Sequence, residues 1–365
     1  MRIFTSLLRS IGPVLVLTLA AGADDDRPFI QNLNNIKMVA STVPANGDVN
    51  PYGIAVVPTT AGALQERSIL VSNFNNSANL QGTGTTIDEI GPSGDVKVFA
   101  KLDAHSLPGP CPGGVGLTTA LVALRSGFVI VGSLPTADGT AATAQAGCLI
   151  ILDRNGAGVA TLSGNGINGP WDMTAVDLGG AAVLFVTNVL NGTVAGNGKA
   201  VDGGTILRIV LTIPSAGAPR EIARAVIASG FPQRSDQAAL VIGPTGLGLS
   251  PDGRLFVADT LQNRIAAIPF ALFRLDNAGT GVTIAKGSAL NGPLGLAIAP
   301  NGDILTVNSG DGNLVETTPG GQQVAVRPID VSQQGAGTLF GLAIAPDEHG
   351  VYFVDDGNNT VNLLH

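Results

Sequence analysis

Few side chains of this sequence are suited to chemistry. A histidine can act as a general acid or base or bind a metal, and the sequence has three of them, His105, His349 and His365. His349 falls in a predicted tight turn and His365 is terminal, whereas His105 lies in a predicted connecting loop with Asp103 nearby. The patterns GxSxG, HExxH and CxxC, the phosphate-binding P-loop and the dinucleotide glycine fingerprint are missing. Hydrolase triads, zinc sites and nucleotide sites are therefore without support, and a single loop histidine is usually solvated.

Polar residues recur where apolar runs end. These strand-end residues are Asn73, Asn188, Asp259, Asn308 and Asp355. At one level of a fold they would form a polar ring that could bind a ligand. Alternatively, each caps its own turn, because Asn and Asp side chains hydrogen-bond to the backbone of tight turns. Segment 355–359 resembles a calcium loop but lacks the glutamate of an EF-hand, so we interpret it as a turn.

The same unit recurs six times along the chain. It has a Gly- or Pro-marked entry, an apolar run, a Gly-Asp or Gly-Gly turn, and a second apolar strand that ends in Asn or Asp. Clear copies span residues 243–265, 291–316 and 338–364. Since one small sheet cannot bury its faces alone, such units stack on their neighbours. The repeats therefore predict an all-β fold, a six-bladed β-propeller.

The blade boundaries follow from these repeats. We predict that the six inner strands begin at Pro51, Gly113, Pro170, Pro244, Pro293 and Leu339. The last repeat is one strand short, whereas segment 36–43 lies upstream of the first blade and has no blade of its own. We expect this segment to be the outer strand of blade 6, because it would close the ring and cover an exposed strand edge.

The connections between the strands are unequal. In blades 1 to 3 the second and third strands are joined by long segments, 75–85, 133–147 and 191–204. The connections between blades at 101–112 and 229–243 also look enlarged. Alternating strand directions bring all five to one face of the disc, here called the top face. Loops on one side of a rigid ring commonly bind ligands; neutral variation of surface loops is the alternative.

The amino terminus and the composition limit localisation and partners. Residues 1–23 have a basic start, an apolar stretch and an Ala-Gly-Ala site, which predicts a cleaved signal peptide. Residues 24–365 would then be a single propeller domain, exported to the periplasm or the medium. The apolar stretch is too short to span a membrane, and none later is longer. The net charge of −8 and the lack of a Lys/Arg cluster disfavour nucleic-acid binding.

The two cysteines, Cys111 and Cys148, fit the predicted export. In an oxidising compartment a cysteine pair usually forms a disulfide. We therefore predict a disulfide at the top face of blade 2, next to segment 133–147. Two buried thiols are the alternative.

Two of the repeats carry a family resemblance. GLGLSPDGRLFVADTLQNRI and GLAIAPNGDILTVNSGDGNLVE resemble NHL repeats, and the chain resembles a secreted bacterial NHL-repeat propeller. Within the first copy, Asp259, Asn263 and Arg264 match the Asp-x-x-x-Asn-Arg pattern, which implies residues that hold a turn. The chain is also distantly similar to gluconolactonase and strictosidine-synthase-like propellers. That resemblance implies a lactonase, esterase or lyase with a site at the central axis.

In the calcium-dependent lactonases of this group, oxygen ligands stand just before the glycine that opens an inner strand. The equivalent positions here hold Tyr52, Gly113, Trp171, Thr245, Leu294 and Phe340. Calcium takes about six to eight oxygen ligands, and only Asp172 offers a carboxylate nearby. We therefore predict no cofactor and no metal, with calcium as the alternative. The residues indicate either an axial mouth that binds an organic group or a plug that fills the channel.

These observations lead to three hypotheses on function. The first is an exported binding module for a protein, peptide or glycan that uses the top-face loops of blades 1 to 3; a small-molecule ligand is also compatible. The alternative is a divergent hydrolase or lyase in which Asp172, His105 and strand-end asparagines serve a substrate at the axis. The third is a structural propeller that only displays its loops. The sequence leaves open whether the protein is an enzyme.

Overall fold

The structure is a computed structural model that describes residues 27–330 and 337–365. The predicted signal peptide at 1–23 lies outside the described residues. The strands form six antiparallel sheets, and the innermost strand of each sheet packs against those of both neighbouring sheets, so the ring closes. The all-β, six-bladed β-propeller predicted from the repeats is confirmed.

The strands are numbered in chain order, and within a blade they run from the axis outward, except that the last strand of blade 3 turns back from the end of the strand before it. The first strand of the chain is β1 (Ile36–Ser41). Blade 1 consists of β2 (Val49–Val56), β3 (Ile69–Asn75), β4 (Thr86–Ile90) and β5 (Val96–Lys101). Blade 2 consists of β6 (Leu117–Ala123), β7 (Val129–Ser133), β8 (Cys148–Leu152) and β9 (Gly158–Ser163). Blade 3 consists of β10 (Pro170–Asp177), β11 (Ala181–Asn188), β12 (Val201–Thr212), β13 (Arg220–Asp236) and β14 (Leu240–Ile242).

The other three blades are more regular. Blade 4 consists of β15 (Pro244–Leu249), β16 (Leu255–Asp259), β17 (Arg264–Ile268) and β18 (Val282–Lys286). Blade 5 consists of β19 (Pro293–Ile298), β20 (Ile304–Asn308), β21 (Asn313–Thr317) and β22 (Gln323–Pro328). Blade 6 consists of β23 (Leu339–Ile344), β24 (Val351–Asp355), β25 (Thr360–Leu364) and β1. The short helices are the 3-10 turns Phe29–Asn32, Ala104–Ser106, Ala141–Thr143 and Thr260–Gln262 and the α-helical turn Thr193–Gly196.

The two ends of the described chain close the ring. Strand β1 pairs antiparallel with β25, with Ile36 opposite Leu364 and Ser41 opposite Thr360. The predicted role of segment 36–43 is therefore confirmed, although the strand itself ends at residue 41. The chain before β1 is held to blade 5 by Glu316, which accepts the backbone N–H groups of Phe29 at 2.6 Å and Ile30 at 2.8 Å. Ring closure thus combines strand pairing with a buried carboxylate.

The prediction that the inner strand of blade 2 begins at Gly113 is wrong. Strand β6 starts at Leu117, which lies opposite Ser133 as Pro51 lies opposite Asn73 in blade 1. Residues 113–116 belong to the connection from blade 1, where Gly113 N–H bonds to the carbonyl of Ala146. The Gly-Gly pair there resembled a strand entry but forms a turn.

The connection 229–243 also differs from the prediction. It is not an enlarged loop, because β13 continues through it and turns back as β14, with Arg234 opposite Ile242 and Asp236 opposite Leu240. In blade 3 the segment 191–204 is likewise partly strand, since β12 begins at Val201. The extended part of β13 with β14, residues 233–242, is called the hairpin below.

A glycine in the first half of most inner strands lets neighbouring blades approach closely. A Cβ atom on Gly295 would lie 1.7 Å from the carbonyl oxygen of Phe340, and one on Gly246 would lie 2.5 Å from the backbone nitrogen of Leu296. Gly53 and Gly341 occupy the same place in their blades. In blade 3 this place is taken by Asp172, so one blade carries a carboxylate where four carry no side chain.

Candidate functional site

The hairpin lies across the top end of the central channel. The hydroxyl of Tyr52 in blade 1 donates to the carbonyl of Ala238 at 3.3 Å. The indole N–H of Trp171 in blade 3 donates to the carbonyl of Val241 at 3.0 Å. Since β2 and β10 stand around the axis, these two bonds fix the hairpin over the channel.

The predicted axial residues fill the channel below the hairpin. Tyr52, Trp171, Thr245, Leu294 and Phe340 are all buried. The rings of Tyr52 and Phe340 stack with centroids 3.6 Å apart, and the Trp171 ring lies 6.1 Å from that of Phe340. Burial, with smaller contributions from nearby carboxylates, raises the pKa of the Tyr52 hydroxyl well above its usual value. Of the two alternatives from the sequence, an axial mouth or a plug, this packing corresponds to the plug.

The predicted sixth axial residue, Gly113, is not at the axis. In the observed register the position equivalent to Tyr52 in blade 2 is held by Thr118, which is buried. None of the six positions carries a carboxylate, and the carboxylate next to them in sequence is that of Asp172, which follows Trp171 in β10. The six positions therefore do not fit calcium, because their side chains are aromatic, aliphatic or hydroxyl groups.

Asp172 faces the other part of the channel. A cavity of about 250 Å³ extends from Asp172 between the inner strands towards Leu249, Ile298 and Ile344. These three residues end β15, β19 and β23 and are partly exposed, so the cavity opens on the bottom face, opposite the predicted loops. Each inner strand is a sheet edge, so one of its sides has no partner strand within its blade and borders this channel.

Among the described residues that line this cavity, Asp172 is the one with a titratable side chain. Its side chain is 8% exposed and accepts the backbone N–H of Leu247 at 2.9 Å. Desolvation raises its pKa to about 7, against the hydrogen bonds from the backbone of Leu247 and Met173. A carboxyl group poised near neutral pH can both donate and accept a proton.

The strand-end residues are all buried but bond to different neighbours. Asn73 donates to the carbonyl of Thr42 at 3.0 Å and to Asp88 at 2.9 Å. Asp259 pairs with Arg264 across the turn at 2.8 Å. The other three bond similarly: Asn188 accepts from the backbone of Asn168, Asn308 donates to Ala289 and Asp311, and Asp355 accepts from Asn358. These are the contacts of turn and loop caps, and ligand binding by the ring stays a prediction.

A second and larger cavity lies on the top face. It has a volume of about 740 Å³ and is lined by Gln81, Gly139 to Ala141, Gly198 and hairpin residues 234–238 and 240. These residues come from the three long connections of blades 1 to 3 and from the hairpin. Gln81 donates to the carbonyl of Gln237 at 2.7 Å, which ties the first loop to the hairpin. The top-face cavity therefore lies where the loop lengths predicted a binding surface.

The polar chemistry of the top-face cavity comes from amides, hydroxyls and one ion pair. Gln81, Thr140 and Gln237 supply uncharged donors and acceptors. Arg234 pairs with Asp236 at 3.4 Å, and its side chain remains 41% exposed. Sequence reasoning missed the hairpin residues, because the segment from 220 to 236 has no strict alternation of polar and apolar residues.

The disulfide is confirmed. Cys111 and Cys148 are bonded, with an S–S distance of 2.09 Å and 5.2 Å between their Cα atoms. The bond joins the connection from blade 1 to the start of β8. It thereby anchors the chain directly after the loop 134–147, which contributes to the top-face cavity.

The three histidines line neither the channel nor the top-face cavity. His105 is exposed in a short 3-10 turn whose N-cap, Asp103, accepts its backbone N–H. His349 and His365 are exposed beside a bottom-face cavity that Arg67 and Tyr352 also line. Within residues 27–330 and 337–365, no group of three or more His, Cys, Asp or Glu side chains is placed to hold a metal. The described helices are too short to cross a membrane.

Solved structures share this fold at low sequence identity. A gluconolactonase from Xanthomonas campestris matches with a TM-score of 0.54 and 13% identity over 90% of this chain and 88% of its own. Virginiamycin B lyase from Staphylococcus aureus matches with a TM-score of 0.53 and 14% identity over 90% and 98%. The PQQ-bound aldose sugar dehydrogenase from Streptomyces coelicolor gives 0.53 and 16% over 90% and 98%. No protein-family model and no curated protein matches the sequence.

These likenesses are distant. At 13 to 16% identity they establish the six-bladed fold and not an activity. They agree with the predicted distant similarity to gluconolactonase propellers. The NHL-repeat resemblance stays a sequence-based prediction.

Proposed function

We propose that the protein binds a small, hydroxyl-rich molecule, such as a sugar or the end of a glycan, in the top-face cavity. The observation that carries this proposal is the construction of the cavity from the three long loops and the hairpin. Its volume of about 740 Å³ lies within the range of small-molecule sites. A folded protein partner would need a broader surface than this cavity offers.

The chemistry of the lining supports a hydroxylated ligand. Amides and hydroxyls of Gln81, Thr140 and Gln237 can both donate and accept, as sugar hydroxyls can. Arg234 could bind a carboxylate or ring oxygen at one end of the ligand. The named structural neighbours, a gluconolactonase and an aldose sugar dehydrogenase, support a small molecule rather than a macromolecule as the partner.

A tryptophan that fills the cavity tests the proposal. A glycan array first identifies saccharides that bind the wild-type protein. Calorimetry then compares their affinities for the wild type and for Ala141→Trp, whose side chain would enter the cavity. We expect at least about tenfold weaker binding, because the ligand and the indole compete for one volume. Ala78→Trp is the matched control, since Ala78 is exposed in the first loop and does not line the cavity. A wild-type protein that binds no saccharide, or equal affinities of wild type and Ala141→Trp, contradicts the proposal.

A divergent hydrolase or lyase is the second candidate function. It is favoured by the buried Asp172, whose pKa near neutrality suits a general acid or base in the axial channel. Asp172 would hold or accept one proton of a substrate that enters from the bottom face. The test is turnover of a panel of lactones and esters, with calcium and with a chelator. Asp172→Asn should abolish turnover, whereas Asp303→Asn, a change at another carboxyl of raised pKa outside the channel, should preserve it.

Export from the cytoplasm is also proposed. It is supported by the sequence of residues 1–23 and by the disulfide, which requires an oxidising compartment in most bacteria. Amino-terminal sequencing of the protein from fractionated cells should give a mature chain that begins at Asp24. A chain that retains Met1 in the cytoplasmic fraction contradicts this proposal.

A further inference from the structure

One turn of the molecule projects large apolar side chains into solvent. It joins the third and fourth strands of blade 4 and is called the tip, residues 269–275. Phe270 is 75% exposed, Phe273 is 82% exposed and Leu275 is 96% exposed. Single exposed apolar residues are common, but several large ones on one short turn mark an interaction site.

The tip is a defined structure rather than a loose loop. Arg208 on β12 donates to the carbonyls of Ala271 at 3.1 Å and Leu272 at 2.9 Å. Arg274 folds back and donates to the carbonyl of Pro269 at 3.1 Å. The side chain of Ala271 is buried and its N–H bonds to the carbonyl of Gly253. The apolar side chains therefore project because the backbone is held in place.

The backbone of Phe270 has an unfavourable conformation that turns its ring outward. Its φ is +55°, in the left-handed region that bulky side chains rarely adopt. Such an outlier persists only where the surroundings enforce it and is enriched at functional positions. Exposure of the phenyl ring is thus maintained against both backbone strain and hydration.

The hydrogen bonds of the tip fit an apolar environment. The four consecutive carbonyls from Pro269 to Leu272 all accept hydrogen bonds from within the protein. Three accept from the arginines named above, and the carbonyl of Phe270 accepts the N–H of Phe273 at 3.0 Å. A backbone that enters lipid must satisfy its carbonyls internally, because hydrocarbon offers no donors. A protein partner could itself supply hydrogen-bond donors, so it would not require all four carbonyls to be satisfied from within the chain.

The charges at the base of the tip complement lipid phosphates. Three guanidinium groups, those of Arg208, Arg254 and Arg274, and two carboxylates, those of Asp252 and Asp276, give a local charge of +3 − 2 = +1 in a chain of net charge −8. The projecting side chains are uncharged. Apolar groups that enter the interface beneath a cationic base are typical of peripheral membrane binding.

We propose that the tip inserts into the surface of a lipid bilayer and anchors the propeller by its bottom face. The tip lies beside Gly253, in the turn between the first two strands of blade 4, and this turn is on the bottom face. Leu178, 64% exposed in the corresponding turn of blade 3, is on the same face. The top-face cavity would then point away from the membrane and stay accessible.

Vesicle binding by the full chain tests the proposal. Sedimentation is measured with vesicles of phosphatidylcholine alone and of phosphatidylcholine with phosphatidylglycerol. We expect the wild-type protein to bind both vesicles. F270N/F273S/L275S should bind roughly a hundredfold more weakly, because the three exposed apolar side chains that would enter the bilayer are removed. Asn is used at 270 because it tolerates positive φ. M38S/I222S, which removes exposed apolar side chains elsewhere, should bind as the wild type does.

A second readout reports insertion directly. In Phe273→Trp the new indole should show a blue-shifted emission when vesicles are added, while the buried Trp171 gives a constant background. Absence of wild-type binding to both vesicles, or equal binding of the tip variant, overturns the proposal. So does concentration-dependent self-association that only the tip variant loses, without vesicle binding, because the tip would then dock on a second copy. None of these outcomes depends on a ligand in the top-face cavity.

Discussion

Blades 4 to 6 and blades 1 to 3 share one framework but join their strands differently. In blades 4 to 6 the second and third strands are linked by the short turns 260–263, 309–312 and 356–359. In blades 1 to 3 the same connection spans 76–85, 134–147 and 189–200. The short turns are held by their own side chains, whereas the long connections meet the hairpin and form a cavity. The half of the ring with regular repeats is thus framework, and the irregular half carries the candidate site.

Blades 4 and 1 also differ in the partner that each gives to one buried carboxyl group. In blade 4 the strand-end Asp259 is paired with the guanidinium of Arg264. In blade 1 the strand-end Asn73 donates to Asp88, a buried carboxyl group whose pKa desolvation raises to about 7. Desolvation raises the pKa of both carboxyl groups, and each partner opposes that rise, Arg264 with a full positive charge and Asn73 with a hydrogen bond alone.

The largest effect is expected from Arg264→Ala in blade 4. Arg264 is 9% exposed and bonds to Asp259 at 2.8 Å, to Thr283 at 2.7 Å and to the carbonyl of Thr280 at 2.9 Å. Its removal leaves a buried carboxylate without its cationic partner, so the free energy of unfolding should fall by roughly 3–5 kcal/mol. Urea denaturation measures this fall.

Arg254→Ala is the matched control for this prediction. Arg254 pairs with Asp252 at 2.7 Å on the surface of the same blade. Exposed ion pairs contribute less than about 1 kcal/mol. If both variants lose similar stability, the buried pair is not what holds the turn of blade 4.

The next largest loss of stability is expected in blade 2, where a disulfide rather than an ion pair holds the end of the connection. Cys111→Ser/Cys148→Ser opens the disulfide that closes a sequence separation of 37. Loss of that constraint on the unfolded chain should lower the free energy of unfolding by about 4 kcal/mol in the chain-entropy model. The same measurement on wild-type protein under reducing conditions should give the same loss. A double variant as stable as the wild type would show that the long loops need no anchor.

The fold was predictable because its signals are local. The repeats placed four of six inner strands at their observed starts, those of blades 3 to 6, and Pro51 lies two residues inside the first. The missing fourth strand of the last repeat identified segment 36–43. Gly113 was misplaced because a Gly-Gly turn and a strand entry look alike in sequence. The hairpin could not be predicted, since what holds it is bonding from Tyr52 and Trp171, which are distant in the chain.

The candidate site was predictable only in part for the same physical reason. Loop lengths indicated the top face of blades 1 to 3, where the cavity lies. Asp172 stood out as a carboxylate near the axis, but its access from the bottom face follows from the plug of rings and the hairpin above it. Which end of a channel is closed depends on packing between blades, and no single repeat encodes it.

A smaller effect is expected from Asp88→Asn in blade 1, and it concerns the dependence of stability on pH. The pKa of Asp88 is raised to about 7 in the folded state, so the folded protein keeps its proton where the unfolded chain loses it. Stability from this group is therefore lost as pH rises from about 4 to about 7 and stays low above it. Asn should reduce the fall in unfolding free energy between pH 5 and pH 8 by roughly 2–3 kcal/mol. Unfolding of both proteins at the two pH values measures it, and an unchanged fall argues against this assignment.

The smallest effect is expected from His105→Ala, in the connection between blades 1 and 2. The imidazole is exposed, and the bond that caps its turn comes from its backbone N–H to Asp103 rather than from the ring. Its removal should change the free energy of unfolding by less than about 0.5 kcal/mol and leave saccharide binding in the top-face cavity unchanged. Calorimetry on the same ligands used for Ala141→Trp measures the second quantity. A loss of binding would extend the site beyond the loops of blades 1 to 3 to the connections between blades, since His105 does not line the cavity.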